Sequence, residues 1–89
     1  MNATAWKSSV ASLGCILCRA QELGETPASL HHVREGQGLS QRASDWLVVP
    51  LCTEHHQGKR GVHGGQFYQL YRLDELDLLA LTIEAMATR

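Results

Sequence analysis

The clustering of cysteines and histidines constrains this chain more than any other feature. All three cysteines and all five histidines of its 89 residues lie between positions 15 and 63. They form three groups: Cys15 with Cys18, His31 with His32, and Cys52 with His55, His56 and His63. Because thiolate and imidazole are the donors that zinc prefers, this density predicts metal binding rather than a set of unrelated side chains.

The size of the chain makes a bound metal the expected source of stability. A domain of 89 residues leaves much of its surface in water and usually gains extra stability from disulfides, a structural metal or oligomerisation. Three cysteines cannot all pair within one chain, so a disulfide framework is not expected. No linker-like or repetitive segment divides the sequence. We therefore predict a single α+β domain over residues 1–89, held together by zinc.

Spacing separates the donors into a closed set and a surplus. Cys15 and Cys18 form one knuckle and Cys52 with a following histidine forms another, which together give the four ligands of a closed zinc site. Either His55 or His56 can close this site, and the two-residue spacing favours His55. The surplus is His31, His32, His56 and His63.

The surplus histidines indicate an open metal site. They include no thiol, and catalytic metals keep coordination positions free for water or substrate. The spacing excludes other classes of zinc site. A C2H2 zinc finger that binds the DNA major groove needs a second histidine near residues 35–37, and the sequence has none there. The deaminase pair His-x-Glu and Pro-Cys-x-x-Cys is absent, and so is the protease pattern His-Glu-x-x-His.

Apolar spacing and turn residues predict short elements around these donors. We expect a helix over residues 4–13 capped by Gly14, a turn after Cys18, and strands over residues 29–33 and 45–50, the second ended by Pro50. Residues 34–44 are predicted to form a loop, and residues 53–58 and 66–72 two short helices.

The C-terminal helix is the clearest one in the sequence. Asp74 is a favourable N-cap, and Asp77 completes a capping box. An apolar stripe at helical spacing is expected to face the core, and it consists of Leu76, Leu79, Ala80, Ile83 and Ala87.

Charge and hydropathy limit the partners. A net charge of −1 does not by itself indicate nucleic acid, but cations lie in the histidine-rich middle while acidic residues crowd the last quarter. The candidates for phosphate contacts are Arg34, Arg42, Lys59 and Arg60. Polar residues interrupt the N-terminal stretch, and no segment is apolar enough to span a bilayer, so we expect a cytoplasmic protein without a membrane partner.

Three ordered motifs carry a resemblance to a known family. They are Cys15-Ile-Leu-Cys18, then Leu30-His31-His32-Val33, then the run from Ser44 to His56 that contains Asp45-Trp46-Leu47-Val48-Val49-Pro50-Leu51-Cys52. Over about residues 15–70 the chain resembles HNH nucleases, also called His-Me finger or ββα-metal nucleases. More narrowly it is similar to phage-borne recombination-enhancement (Ref-like) nucleases and related small prophage proteins.

The resemblance implies a fold and residue roles. The fold is a ββα-metal core, in which a hairpin carries the paired histidines and a helix carries the last ligand, with flanking helices. His31 and His56 correspond to metal ligands and His32 to the general base. His63 is similar to the final histidine of the motif, although it lies further from His56 than the one-turn spacing common in the family.

Asp45 departs from the family pattern. It stands where many members have an asparagine whose side chain ties the hairpin loop together. An aspartate accepts those hydrogen bonds but has no amide to donate. We assign Asp45 a supporting role next to the catalytic residues, the alternative being a turn or helix cap without catalytic consequence.

The combined hypothesis is a metal-dependent endonuclease that hydrolyses phosphodiester bonds, with DNA as the expected substrate. It uses a structural Zn²⁺ and a catalytic divalent ion such as Mg²⁺, Mn²⁺, Ni²⁺ or Zn²⁺. One alternative is a non-catalytic zinc-binding module that recognises nucleic acid or a protein. Another is a nuclease that acts with an accessory recombination or phage protein, because the chain has no long basic arm for gripping DNA.

Overall fold

The computed structural model describes residues 1–34 and 42–89. Within these ranges the elements are α1 (Ala3–Ala11), α2 (Ile16–Ala20), β1 (Ser29–His32), β2 (Val48–Leu51), α3 (Thr53–His56), α4 (Phe67–Tyr71) and α5 (Glu75–Ala87). The predicted small α+β class is confirmed. Most of the predicted loop 34–44 lies outside the described residues. None of the helices in the described ranges is long and apolar enough to cross a membrane.

The sheet is a two-stranded antiparallel hairpin that lies in the middle of the molecule. β1 pairs with β2 so that Ser29 faces Leu51 and His31 faces Val49. All four residues of β2 are buried. The prediction that Pro50 ends the second strand is wrong, because Pro50 pairs with Leu30 inside it. Each strand of a two-stranded sheet has a free edge, so the missing N–H of a proline is tolerated there.

The strand geometry separates the paired histidines. Successive side chains of a β-strand point to opposite faces, so Ser29 and His31 share one face while His32 lies on the other. His31 is buried and His32 is partly exposed. Two neighbouring residues of identical chemistry therefore meet different surroundings.

The first helix delivers the chain to the first cysteine. Asn2 caps α1 by accepting a hydrogen bond from the Ala5 amide at 2.8 Å, and the helix ends at Ala11, before the predicted residue 13. Gly14 then adopts a left-handed φ of 76°, and a Cβ atom there would lie 3.0 Å from the Thr26 carbonyl oxygen. This turn lets the Cys15 amide donate to the same oxygen at 2.8 Å. The predicted turn after Cys18 is confirmed but begins later, since α2 continues to Ala20 and the turn lies at residues 21 and 22.

The last helix begins as predicted but packs through a different face. The capping box is present, with the Asp74 and Asp77 side chains accepting from each other's amides at 2.9 and 3.0 Å. The buried residues are Leu78, Thr82 and Ala85, whereas Leu76 and Ile83 of the predicted stripe are 51% and 49% exposed. Apolar residues occur on nearly every side of this helix, so spacing alone allows more than one core face.

A hydrogen bond makes the burial of Thr82 on the core face of α5 possible. A buried hydroxyl without a partner is costly, but the Thr82 side chain donates to the Leu78 carbonyl one turn earlier, at 2.8 Å. The threonine therefore behaves as a small β-branched core residue, although its type suggests a surface position.

Candidate metal centres

The first candidate centre gathers three sulfur atoms and one imidazole nitrogen. The Nδ1 atom of His55 lies 3.4 Å from the sulfur of Cys15, 3.6 Å from that of Cys18 and 3.3 Å from that of Cys52. The sulfur atoms of Cys18 and Cys52 are 3.9 Å apart. All four residues are buried, and none of the three cysteines forms a disulfide.

The donor set and its spacing fit zinc. A tetrahedral zinc with bonds of about 2.3 Å to sulfur and about 2.0 Å to nitrogen holds its ligand atoms roughly 3.5–3.8 Å apart. The separations in this cluster, from 3.3 to 3.9 Å, agree with that geometry. We therefore describe Cys15, Cys18, Cys52 and His55 as a cluster that can bind zinc, and call it the Cys3His cluster.

Burial sets the protonation of this cluster when no cation is near. It raises the pKa of the Cys15 thiol to about 11, and it lowers the pKa of His55 against a smaller opposing effect of Glu54. A buried thiolate is unfavourable without a positive charge beside it, whereas a neutral imidazole is ready to bind. Zinc binding would therefore displace the proton of the Cys15 thiol.

The Cys3His cluster is part of the hydrophobic core. Its three cysteines pack in the same buried cluster as Leu17, Leu51 and Leu78. Cys15 precedes α2 and Cys52 precedes α3, so two helix starts and the hairpin meet there. The cluster thus joins elements from both halves of the chain.

The second candidate centre contains only histidines. One side-chain nitrogen from each of His31, His56 and His63 lies within 4.8 Å of the others. The ring centroids are 5.3 Å apart for His31 and His56, 5.0 Å for His31 and His63, and 4.8 Å for His56 and His63. We call this group the three-histidine cluster.

The three residues of the three-histidine cluster differ in solvent exposure. His31 is buried, His56 is partly buried and His63 is exposed. Burial lowers the pKa of His56, and the neighbouring rings of His31 and His63 lower it further. His56 therefore offers a neutral imidazole beside the exposed His63, which suits an ion that exchanges water for substrate.

A loop that turns back over α3 brings His63 to His56. The Val62 amide donates to the His55 carbonyl at 2.8 Å, and the His63 amide donates to the His56 carbonyl at 3.4 Å. A Cβ atom on Gly61 would come within 2.8 Å of the His56 carbonyl carbon, so this close approach requires glycine. The long spacing between the two histidines is thus accommodated by a returning loop rather than by one helical turn.

Two side chains that the sequence analysis did not select hold the histidine rings. The Ser29 hydroxyl is 3.0 Å from Nδ1 of His56, and a Glu75 carboxylate oxygen is 2.5 Å from Nε2 of His31. The Glu75 carboxylate also accepts from the Arg34 amide, at 3.3 Å to each oxygen. Ser29 shares a strand face with His31, which is a usable sequence signal. Glu75 lies 44 residues from His31, and only the tertiary fold brings them together.

His32 and Asp45 form a separate pair outside the three-histidine cluster. Nε2 of His32 is 2.9 Å from an Asp45 carboxylate oxygen, and the Lys7 ammonium is 3.6 Å from the same oxygen. The hydrogen bond with His32 holds the pKa of Asp45 below its usual value, with added contributions from Lys7 and Arg42. Asp45 is therefore ionised and fixes one edge of the His32 ring.

The four cations predicted to contact phosphate fall into two areas. Arg42 lies near Asp45, on the His32 side. Arg34 follows β1 and its amide meets Glu75, while Lys59 and Arg60 are exposed in the loop that returns to His56. All four side chains belong to exposed residues.

Comparison with known proteins adds one finding. The family model described as recombination enhancement, RecA-dependent nuclease matches residues 3–87. No curated protein and no solved structure matches the chain significantly.

Proposed function

The chain belongs to the family of recombination-enhancement, RecA-dependent nucleases, and we propose that it is a metal-dependent DNA endonuclease of the HNH (His-Me finger, ββα-metal) type. The observation that carries this proposal is the convergence of three histidines beside, but separate from, a Cys3His cluster. The chain order β1, β2, α3, with a histidine of the cluster on β1 and another on α3, supports the ββα-metal assignment.

The two clusters take different tasks in this proposal. Cys15, Cys18, Cys52 and His55 hold a structural Zn²⁺. His31, His56 and His63 hold a catalytic divalent ion, for which Mg²⁺, Mn²⁺, Ni²⁺ and Zn²⁺ are the candidates. When bound there, such an ion stabilises negative charge on the phosphate and on the departing oxygen.

His32 is proposed as the general base that takes a proton from the attacking water. Its Nε2 atom is 2.9 Å from ionised Asp45, so the tautomer with a proton on Nε2 donates to the carboxylate. That tautomer leaves the Nδ1 lone pair free to accept a proton. Asp45 orients the ring and stabilises the imidazolium that forms, and a general base of this kind contributes about 10²- to 10⁴-fold in rate.

The exposed cations provide the means to hold a polyanion. Arg42 lies on the His32 side, while Lys59 and Arg60 follow the helix that carries His56. Contacts of this kind to phosphates release counterions, so DNA affinity should fall steeply as salt concentration rises.

A nicking assay with a single replaced histidine tests the proposal. Supercoiled plasmid is incubated with the protein and Mg²⁺, Mn²⁺ or Ni²⁺, with and without RecA filaments on the DNA, and the wild type is compared with His32→Ala. We expect nicking by the wild type in at least one of these mixtures. His32→Ala should cut about 10² to 10⁴ times more slowly while keeping its zinc content and melting temperature.

Two results would overturn the proposal. One is full activity of His32→Ala, which would remove the assigned base. The other is wild-type protein that binds DNA and retains zinc but nicks it under none of these conditions, which would favour a non-catalytic zinc-binding module.

A further inference from the structure

Both tryptophans of the chain lie together on the surface that carries His32. The Trp6 indole N–H donates to the Trp46 carbonyl oxygen at 3.0 Å, and the two ring centroids are 5.9 Å apart with planes tilted by 38°. Trp46 is 46% exposed, and Trp6 is partly exposed. We call this pair the tryptophan pair.

The ring of Trp46 is not needed to hold the backbone in place. Its carbonyl receives the Trp6 indole, and its amide donates to the Ser44 hydroxyl at 3.1 Å. The next carbonyl along the chain, that of Leu47, accepts from the Val33 amide at 2.9 Å. Backbone groups thus anchor this segment, while the Trp46 ring presents apolar surface to solvent.

Contacts of the residues next to each tryptophan place the pair near the proposed general base. Trp46 follows Asp45, whose carboxylate is 2.9 Å from His32. Lys7 follows Trp6 on α1 and lies 3.6 Å from the same carboxylate. The rings and the base therefore belong to one surface, at the junction of α1 with the hairpin.

The charge around the pair fits a nucleic-acid strand better than an apolar protein segment. Lys7 and Arg42 are both near enough to lower the pKa of Asp45, so two cations accompany its single negative charge. Exposed aromatic rings beside cations are the combination by which proteins hold single strands, since bases stack on the rings and phosphates meet the cations. A base that is already stacked within a duplex offers no free face to such a ring.

We propose that the tryptophan pair is a stacking site for an unpaired base next to the phosphate that is cut. This inference rests on the proposed nuclease function and assigns Trp46 to the binding of its substrate. Stacking on an exposed ring changes affinity by about 5- to 150-fold per base, which is the effect expected from the loss of Trp46.

The test measures binding without cutting. Labelled single strands, blunt duplexes and abasic strands of equal length are titrated by anisotropy without added divalent metal, at several salt concentrations. Quenching of intrinsic fluorescence is recorded in parallel, and it reports directly on the site because the chain has only these two tryptophans. We expect the single strand to bind more tightly than the duplex or the abasic strand and to quench the fluorescence.

Matched variants make the result specific. Trp46→Ala should bind the single strand about 5 to 150 times more weakly, and Trp46→Phe should recover part of the loss. Tyr68→Ala removes an aromatic residue of similar exposure, 53%, from α4 and should leave affinity unchanged. Zinc content and melting temperature of each variant confirm that it is folded.

The outcomes separate this inference from the proposed function. Equal affinity of Trp46→Ala and the wild type for the single strand, or equal affinity for abasic and normal strands, would overturn the stacking site. Unchanged DNA binding by Trp46→Ala together with loss of RecA-dependent cutting would also overturn it, in favour of a protein contact. If single-strand stacking is found while no cutting occurs, the proposed nuclease function fails and the binding site remains.

Discussion

The Cys3His cluster and the three-histidine cluster share one short helix and differ in almost everything else. His55 and His56 are consecutive residues of α3, about 100° apart around the helix axis. His55 is buried among thiols in the core, whereas His56 is partly exposed beside two other imidazoles. In the proposed function, this short helix directs one side chain to a structural metal and the next to a catalytic one.

The two clusters also differ in how they are held. The Cys3His cluster is fixed by core packing, because its cysteines belong to the main buried cluster. The three-histidine cluster depends on individual hydrogen bonds of its rings with the Ser29 hydroxyl and the Glu75 carboxylate and on a glycine loop. Substitutions in the Cys3His cluster should therefore destabilise the whole fold, whereas substitutions in the three-histidine cluster should change only the local geometry.

The largest effect is expected from Cys15→Ser. A structural zinc contributes about 10–16 kcal/mol of binding free energy in small zinc domains, which is as large as the whole unfolding free energy of about 5–15 kcal/mol. The variant should lose zinc and its cooperative thermal transition, measured by native mass spectrometry and circular dichroism. His63→Ala is the control and should keep both; a normal melt for Cys15→Ser would show that the Cys3His cluster does not stabilise the fold.

Replacing the two consecutive histidines separately tests the division within α3. His55→Ala leaves three thiolates that hold zinc less well, and loss of a metal ligand should cost more than about 4 kcal/mol. His56→Ala removes a hydrogen bond worth about 1 kcal/mol, so its melting temperature should fall by only about 4–8 °C while nicking is lost. Thermal melts and plasmid nicking are measured for both variants. Similar outcomes for the two would contradict separate roles.

Glu75→Gln is expected to weaken the three-histidine cluster without unfolding the protein. The amide keeps the shape of the side chain but removes the negative charge beside His31, and loss of such an outer carboxylate typically reduces metal affinity about 10- to 100-fold. Calorimetric titration with Mn²⁺ measures this change. Glu84→Gln changes an exposed carboxylate on the same helix and should have no effect; unchanged Mn²⁺ affinity in Glu75→Gln would mean that the contact is incidental.

The smallest effect is expected from Gly61→Ala. The added methyl meets the His56 backbone at 2.8 Å, so the loop must shift at a cost of about 1–3 kcal/mol and carry His63 away from His56. Nicking should fall while the zinc content stays the same. Gly65→Ala is a matched control, because nothing lies within 4 Å of its added Cβ, and equal behaviour of the two variants would exclude a positioning role for the loop.

Local signals predicted the donors well. The two-residue spacings in the knuckles brought Cys15, Cys18, Cys52 and His55 together as expected, and β-strand alternation anticipated that His31 and His32 would part. The capping box of Asp74 and Asp77 was likewise readable from the sequence. The strand alternation and the capping box depend on neighbours along the chain, and the two knuckles are linked by the four donors that a closed zinc site requires, which is why a sequence reveals them.

Features that depend on distant packing were not predictable. The core face of α5 was placed on the wrong side because its apolar residues surround the helix, and only packing against α2 and the hairpin selects Leu78 and Ala85. The contact of Glu75 with His31 joins residues that are 44 positions apart in the sequence. An acidic residue in the first turn of a helix is expected because it stabilises the helix dipole, so nothing in the sequence marked Glu75 as the partner of a histidine. The tryptophan pair likewise joins α1 to residues far along the chain.

The position of Glu75 in the last described helix has a consequence for how the protein matures during synthesis. His31 is translated 44 residues before its carboxylate partner, so the strand that carries this histidine is made well before α5. Until α5 is made and packed, the first of the three histidines lacks the group that orients it. Assembly of the three-histidine cluster is thus tied to the packing of α5, and a chain interrupted before this helix would hold His31 without its carboxylate partner.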